Sequence, residues 1–283
     1  MTDLRPIAVI TGACGGMGQA CARALGGTHR LVLSDLDEGR VSAFAESLLR
    51  EGHDVAGLHH GDLSERASCA ALIGTATAAG SIGAIVHTAG VSPAIGPWEL
   101  IVKANLVATE HLFQEIEASQ ASGLTAIVIA SMAGHMRPGD PVVDALFDTP
   151  LAPDLFEKAE AAMAPHVDPN DQFGLGSVAY YFTKSANIRM VRQRSTAWAR
   201  RGNRILSVSP GTIRTPMGLA EATNNPSAKA VVDATPLGRW GSVLDIAQLV
   251  EFLTSPKASF ITGTDILIDG GVTTAIMLGQ LME

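Results

Sequence analysis

The chain has 283 residues, of which 47% are apolar and 17% charged, and its formal net charge is −8. This composition can bury a large core and excludes a disordered chain, while the acidic balance argues against nucleic acid as a partner. No apolar run reaches the roughly 20 residues that a membrane-spanning helix needs. The three cysteines form no Cys-x-x-Cys pair, so we expect a cytoplasmic protein.

Short apolar runs alternate with longer amphipathic segments along the chain. The runs are apolar at nearly every position, which is typical of strands in a parallel sheet covered on both faces. They are residues 7–11, 30–34, 55–59, 84–87, 126–129, 205–209 and 265–268. Between them, helices are predicted over residues 17–25, 41–50, 64–79, 98–118, 178–201 and 242–254. This order predicts a single α/β domain over residues 1–283, with a doubly wound parallel sheet of about seven strands.

Residues 132–178 interrupt this rhythm and contain no convincing strand. Their prolines disfavour regular structure, and only residues 154–163 have a helical pattern, with Leu155, Ala159 and Ala162 on one face. A long irregular segment inside a compact domain is usually functional. We interpret the segment as an insertion that forms a lid over the substrate. The alternative is that it packs on its own domain and covers an oligomer interface.

A glycine-rich loop, residues 11–18, follows the first predicted strand. Gly12, Gly16 and Gly18 would let the backbone turn tightly and approach a pyrophosphate. The helix that follows would direct its free amides at the phosphates. The spacing differs from the common Gly-x-Gly-x-x-Gly, but its place between a strand and a helix predicts a dinucleotide site.

Asp35 follows the second predicted strand, 23 residues after Gly12. An acidic side chain at this point would accept hydrogen bonds from the adenosine ribose and repel the 2′-phosphate of NADP. No Lys or Arg lies at positions 13–15 or at Leu36 to offset that repulsion. The sequence therefore predicts NAD as the cofactor.

Tyr180 and Lys184 are four positions apart in a predicted helix, so both side chains lie on one face. A free phenol has a pKa of about 10, and a neighbouring ammonium lowers that pKa because it stabilises the phenolate. The pair can then act as general base in alcohol oxidation and as general acid in carbonyl reduction. Such a pair is common by chance and gains its meaning from the glycine loop.

Further short motifs follow one another in a fixed order. They are Asp62-Leu63, His87-Thr88-Ala89-Gly90, Asn105, Ser131 at the end of the fifth predicted strand, the loop 210–215 and Asp269-Gly270-Gly271. Together with the glycine loop, Tyr180 and Lys184, this series resembles the short-chain dehydrogenase/reductase family over almost the whole chain. The resemblance implies a Rossmann-type fold and an oxidoreductase.

The resemblance also implies the role of each site residue. Ser131 would stabilise charge on the substrate oxygen, and Tyr180 would exchange the proton. Lys184 would favour the phenolate and bind the nicotinamide ribose, and Asn105 would hold a water chain. The cofactor-binding residues would be Gly12, Cys14, Gly16, Met17, Gly18, Asp35, Asp62, Leu63, Ala89, Gly90, Tyr180, Lys184, Pro210, Gly211, Ile213 and Thr215. No residue spacing suggests a metal site.

Two departures from the family pattern stand out. His87-Thr88 replaces the usual Asn-Asn pair, and we expect altered loop support without loss of cofactor binding. Only 15 positions separate Gly90 from Asn105, whereas 49 separate Ser131 from Tyr180. This shortening and lengthening resembles the bacterial 3α-hydroxysteroid dehydrogenase/carbonyl reductase branch.

We therefore expect an NAD-dependent enzyme that interconverts a secondary alcohol and a ketone, on a hydroxysteroid or another apolar substrate. The apolar residues that favour such a substrate are Met132, Met136, Met217, Leu219 and Met277. The alternatives are a dehydrogenase of a small polar diol or sugar alcohol, and a nucleotide-sensing module without catalysis. We expect a homodimer or homotetramer. A dimer through helix 242–254 and strand 265–268 is favoured, because the insertion could cover the other surface on which the family pairs.

Overall fold

The computed structural model describes residues 5–224 and 226–280 and contains a seven-stranded parallel sheet. The strands are β1 Ile7–Thr11, β2 Arg30–Asp35, β3 Val55–His60, β4 Ile82–His87, β5 Thr125–Ile129, β6 Arg204–Pro210 and β7 Asp265–Ile268. Their order across the sheet is β3-β2-β1-β4-β5-β6-β7. All seven predicted strands are confirmed, as is the doubly wound α/β class.

Helices cover both faces of the sheet. They are α1 Gly16–Leu25, α2 Glu38–Arg50, α3 Arg66–Ala79, α4 Trp98–Val102, α5 Ala108–Ala118, α6 Pro141–Phe147, α7 Leu155–Met163, α8 Leu175–Ala199, α9 Pro216–Asn224, α10 Pro226–Asp233, α11 Val243–Thr254 and α12 Val272–Met277. The predicted helices correspond to α1, α2, α3, α4 with α5, α8 and α11. Within the described residues, no helix combines the length and apolar character that a membrane span requires.

The sheet separates two apolar cores. In β1, Ile7 and Val9 enter the core that contains α3, α5 and α8, whereas Ala8 and Ile10 enter the core that contains α1, α2 and α11. Successive side chains of a strand point to opposite faces, so a strand buried on both sides must be apolar at every position. This is why its sequence pattern was continuous rather than alternating.

The insertion, residues 132–178, is more regular than its prolines predicted. It contains α6 and α7, and Pro141 begins α6 rather than breaking it. Asp140 caps that helix, because its Oδ1 accepts hydrogen bonds from the amides of Val142 at 2.8 Å and Val143 at 3.0 Å. Proline is favoured at a first helical position, where no amide donor is needed.

The middle of the insertion packs on its own domain. Its fully buried side chains join the core that contains α8, and they are Val143, Phe147, Leu155, Ala159 and Met163. On α7 the buried face includes Met163 rather than the predicted Ala162, which is only partly buried. Phe156 packs against Trp98 of α4, with the ring centroids 6.0 Å apart. The insertion therefore covers the side of the domain that α4 and α8 form.

Candidate active site

Two adjoining cavities open at the carboxyl ends of the strands. The order of the sheet reverses between β1 and β4, and in open parallel sheets ligands bind at such a point. We call the first cavity, of about 340 Å³, the dinucleotide cleft, and the second, of about 280 Å³, the substrate cavity. Met17, Thr215 and Met217 line both of them, so the two spaces meet there.

The two cavities together bring most of the predicted cofactor residues to one place. The dinucleotide cleft is lined by Gly12, Cys14, Gly16, Met17, Gly18, Asp35, Asp62, Leu63, Ala89, Gly90 and Thr215. Tyr180, Pro210, Gly211 and Ile213 line the substrate cavity instead. Lys184 is buried and lines neither cavity.

The glycine loop is shaped by close backbone contacts. Gly12 has a φ of +61°, and a Cβ there would lie 2.7 Å from the amide nitrogen of Ala89. At Gly18 a Cβ would overlap the carbonyl oxygen of Gly12. No side chain caps the N-terminus of α1, whose N-cap is Gly15. The loop thus fits tightly against the segment after β4 and presents helix amides to the cleft.

Asp35 lines the dinucleotide cleft and is held by the glycine loop. Its carboxylate accepts hydrogen bonds from the amides of Cys14 at 2.8 Å and Leu36 at 2.9 Å. Arg40 also lines the cleft, and its Nη2 donates to the Cys14 carbonyl at 3.2 Å. The sequence argument missed this cation, because Arg40 lies in α2, five positions after Asp35. Burial, together with Asp35, raises the pKa of the Cys14 thiol to about 11, which keeps it unreactive.

Ser131 and Tyr180 both line the substrate cavity. Ser131 precedes the 3₁₀ turn Met132–His135, and its Oγ accepts a hydrogen bond from the amide of Ala133 at 3.1 Å. That turn lies against α8, and a Cβ at Gly134 would lie 2.9 Å from the backbone of Lys184. Ser131 and α8 are thereby held in a fixed relation to each other.

Lys184 lies one helical turn after Tyr180, as the spacing predicted. Its Nζ lies 5.7 Å from the centroid of the Tyr180 ring and donates to the carbonyl of Ile129 at 3.0 Å. Burial lowers the pKa of this ammonium to about 8. The side chain is therefore still charged at neutral pH. Burying this charge costs free energy of folding, which other interactions in the fold must offset.

Asn105 lies in a π-helical turn, Lys103–Val107, between α4 and α5, so the predicted helix 98–118 contains a bulge. Its side chain is used to hold the loop after β4. Oδ1 accepts from the Val91 amide at 2.8 Å, and Nδ2 donates to the Val91 carbonyl at 2.9 Å. A Cβ at Gly90 would lie 2.9 Å from Oδ1 of Asn105 and 3.5 Å from Nζ of Lys184. The three residues therefore meet.

His87 and Thr88 support the loops in place of the usual asparagines. The Oγ1 of Thr88 donates to the carbonyl of Thr11 at 2.7 Å, and Nδ1 of His87 is 2.7 Å from Oγ1 of Thr11. Both side chains therefore support the glycine loop, and the expectation that cofactor binding is kept stays a prediction. In the described part of the chain, no three His, Cys, Asp or Glu side chains cluster as metal ligands would.

The walls of the substrate cavity only partly match the sequence analysis. Met132, Met136 and Met217 line it as expected, but Leu219 and Met277 do not and are largely exposed. The sequence analysis missed Pro93, Phe173, Tyr181 and Val231, which also line it. Two of these residues could have been predicted, since Phe173 and Tyr181 lie on either side of residue 178, where α8 was expected to begin. Among the described residues that line this cavity, none carries a charge.

Two family models match the chain. The short chain dehydrogenase model matches residues 6–141, and the enoyl-(acyl carrier protein) reductase model matches residues 170–273. The residues between the two matches lie inside the insertion and include most of α6 and all of α7.

Known proteins match over almost the full length. The chain is 32% identical over 274 residues to short-chain dehydrogenase/reductase bsc3 of Alternaria brassicicola, covering 93% of this chain and 94% of that protein. It is 29% identical over 257 residues to a 3-alpha-hydroxysteroid dehydrogenase/carbonyl reductase of Comamonas testosteroni, covering 86% and 95%. The crystal structure of a glucose/ribitol dehydrogenase from Brucella melitensis superposes with a TM-score of 0.73 at 26% identity, covering 95% and 96%.

The buried ammonium of Lys184 generates a prediction on stability. Its pKa is about 8 in the folded chain and 10.5 ordinarily, so the unfolded chain binds the proton more tightly. Below pH 8 both states are protonated and the full cost of burial is present; the cost fades as the pH rises towards 10.5. We expect Lys184→Met to be more stable than the parent at neutral pH, by on the order of 1 to 3 kcal/mol.

This advantage should shrink in denaturant titrations at the alkaline end of that window. Lys257→Met, which replaces an exposed lysine, is the matched control and should change little at either pH. An advantage of Lys184→Met that is independent of pH would contradict the assignment of a buried, titrating ammonium.

Proposed function

This chain belongs to the short-chain dehydrogenase/reductase family, as its motifs predicted, and on that premise we propose that it interconverts a secondary alcohol and a ketone. The observation that carries the proposal is that Ser131 and Tyr180 both line the substrate cavity, which adjoins the dinucleotide cleft, while the buried ammonium of Lys184 lies 5.7 Å from the Tyr180 ring centroid. Members of the family bind a nicotinamide dinucleotide, which accepts or supplies the hydride when bound.

Each residue has a separate part in this mechanism. The Ser131 hydroxyl hydrogen-bonds the substrate oxygen and stabilises the charge that develops on it. The Tyr180 phenol removes the hydroxyl proton during oxidation and returns it during reduction. The positive charge of Lys184 favours the phenolate form of Tyr180, and the same ammonium would bind the nicotinamide ribose. Asn105 fixes the loop that carries Gly90 against the same ammonium.

We propose an apolar, uncharged substrate, such as a hydroxysteroid, over a diol or sugar alcohol. Methionine, aromatic and proline side chains form about half of the wall of this cavity of about 280 Å³, and its polar side chains carry only hydroxyl groups: Ser131, Ser177, Tyr180, Tyr181, Thr212 and Thr215. A polyol would set some of its hydroxyl groups against the apolar part of the wall, where they would lack partners, which is costly. The absence of a charged group among the described lining residues also disfavours sugar acids and amines.

We propose that NAD is preferred over NADP, because the carboxylate of Asp35 is fixed at the rim where the adenosine ribose would lie. Arg40 weakens this preference, since its guanidinium lies on the same rim and would attract a 2′-phosphate. Repulsion of the 2′-phosphate by Asp35 should outweigh its attraction by Arg40, because two amides hold the Asp35 carboxylate in place, whereas Arg40 is exposed.

The insertion acts on the substrate cavity only through its two ends. Met136 and Phe173 line the cavity, and Arg137 stacks on Tyr181, with its guanidinium carbon 4.8 Å from the ring centroid. Nη1 of Arg137 donates to the carbonyl of His166 at 2.8 Å, which ties the two ends together. We propose that these ends form the lid, while α6 and α7 cover the side on which the family commonly pairs subunits.

We propose a homodimer through α11 and β7. β7 forms one edge of the sheet, Phe260, five positions before it in the chain, is fully exposed, and Phe252 of α11 is 41% exposed. An open strand edge with exposed aromatic side chains is a surface that a second copy can cover.

The test of the proposed reaction is Tyr180→Phe, assayed with steroids, diols and small ketones by the absorbance of NADH. We expect turnover to fall by at least about 10³-fold with little change in NADH affinity, because the phenol oxygen is needed only for proton transfer. Thr196→Val, which removes a hydroxyl from an exposed position of α8 outside both cavities, is the control and should retain turnover. Normal turnover by Tyr180→Phe would overturn the mechanism.

The cofactor preference is tested by the dissociation constants of NADH and NADPH. The parent should bind NADH more tightly by about tenfold or more, which corresponds to about 1.4 kcal/mol. Asp35→Ala should narrow that ratio, and adding Arg40→Ala should weaken NADPH again. Glu38→Ala, which removes a nearby exposed charge outside the cleft, should leave the ratio unchanged. Tighter binding of NADPH by the parent would reject the preference.

The dimer is tested by sedimentation of Phe260→Asp. We expect this variant to be monomeric where the parent is dimeric, because a desolvated carboxylate in the interface is costly. Leu49→Asp, at an exposed position on α2, should remain a dimer. A tetramer paired through α5 would contradict the proposed arrangement.

A further inference from the structure

A line of buried polar groups joins the dinucleotide cleft to Asn105. The Ala89 amide lies 3.4 Å from Oγ1 of Thr11, which lies 2.7 Å from Nδ1 of His87. On the other side of the ring, Nε2 of His87 lies 3.0 Å from Oγ1 of Thr109, which donates to the carbonyl of Asn105 at 2.8 Å. The Thr11, His87, Thr109 and Asn105 side chains are all at least 98% buried.

The direction of this hydrogen-bond chain follows from counting protons. A carbonyl can only accept, so the single hydroxyl proton of Thr109 is committed to Asn105. Nε2 of His87 must then be the donor to Thr109. In a neutral imidazole Nδ1 is therefore the acceptor, and it takes the hydroxyl proton of Thr11. The Thr11 oxygen remains free to accept from the Ala89 amide, so every link is satisfied in one direction.

A charged His87 would break the chain. Imidazolium carries a proton on both nitrogens, so Nδ1 could no longer accept, and the Thr11 hydroxyl proton would lose its partner in the chain. Burial, helped by the charge of Lys184, lowers the pKa of His87 to about 3. Lys184 is the charged group that acts on this ring, and no carboxylate contributes to the shift.

We propose that His87 is a positioning residue which, as the Nε2-protonated neutral tautomer and through Thr109, fixes the π turn at Asn105 against the cofactor loop. The Asn105 side chain in turn hydrogen-bonds the amide and the carbonyl of Val91. The preceding residue, Gly90, lies against the Asn105 side chain and close to Nζ of Lys184. The chain therefore couples the loop that contacts the cofactor to the position of the catalytic ammonium. This inference rests on the proposed function of Tyr180 and Lys184.

The direction of the chain can be read by ¹⁵N NMR of the histidine side chains. We expect His87 to be unprotonated at Nδ1 and protonated at Nε2, and to show no titration between about pH 5 and 9. An Nδ1-protonated tautomer, or a titration in that range, would overturn the proposal. This readout does not depend on turnover, so it stands even if Tyr180 is not the proton-transfer residue.

The coupling is tested by Thr109→Val, which keeps the shape and removes the hydroxyl, with Thr109→Ser as the rescue. With NAD bound, Tyr181→Phe leaves Tyr180 as the only tyrosine, and its phenolate band can be titrated. We expect Thr109→Val to raise the pH midpoint of that band and to lower kcat about tenfold, a loss of about 1.4 kcal/mol. The KM of the cofactor should change less than twofold, and Thr109→Ser should restore both values.

An unchanged phenolate midpoint in a Thr109→Val protein that binds NADH normally would reject the coupling. Should that variant fail to fold, two other measurements test the coupling. One is the His87 tautomer in the unmodified protein. The other is the phenolate midpoint in Thr109→Ser, where a shift would contradict the role of the hydroxyl. Failure of the proposed function would appear differently, as normal turnover by Tyr180→Phe.

Discussion

The arrangement of the site depends on the burial of the Lys184 ammonium and on its hydrogen bond to the Ile129 carbonyl. The ammonium can stay charged in this position because Ile129 at the end of β5 supplies a carbonyl acceptor, and because α8 carries it at a fixed distance from the Tyr180 ring. Its burial costs stability, and the two large cores on either side of the sheet offset that cost. The same cation also lies close to Gly90, which lines the dinucleotide cleft, so one charge is near both the Tyr180 ring and the cleft wall.

The insertion changes the surroundings of this centre without entering it. α6 and α7 bury five apolar side chains against the domain and cover α4 and α8, while only the ends of the segment reach the substrate cavity. This division explains how a long segment can leave directly after Ser131 and return just before Tyr180 without disturbing either. Its two roles, covering a surface and shaping a cavity, belong to different residues.

The sequence was sufficient to predict those elements whose structure depends on neighbouring residues in the chain. Continuous apolar runs identified all seven strands, and the four-residue spacing of Tyr180 and Lys184 placed both on one helix. It was insufficient where a residue acts through the tertiary fold. Pro141 and Pro216 begin short helices, although proline in a sequence reads as a break. Arg40 reaches the cleft from α2, and His87 meets Thr109 across 22 positions, so neither contact follows from spacing along the chain.

We propose that the Lys184 ammonium makes the Tyr180 phenol a proton-transfer group. Because the chain has only two tyrosines, Tyr181→Phe leaves the ultraviolet phenolate band to report Tyr180 alone. With NAD bound, half of the phenol should be ionised at a pH clearly below the value of about 10 that a free phenol shows. Adding Lys184→Met should move that midpoint upward by one pH unit or more. An unshifted midpoint in the Lys184→Met protein, with NAD still bound, would contradict the account.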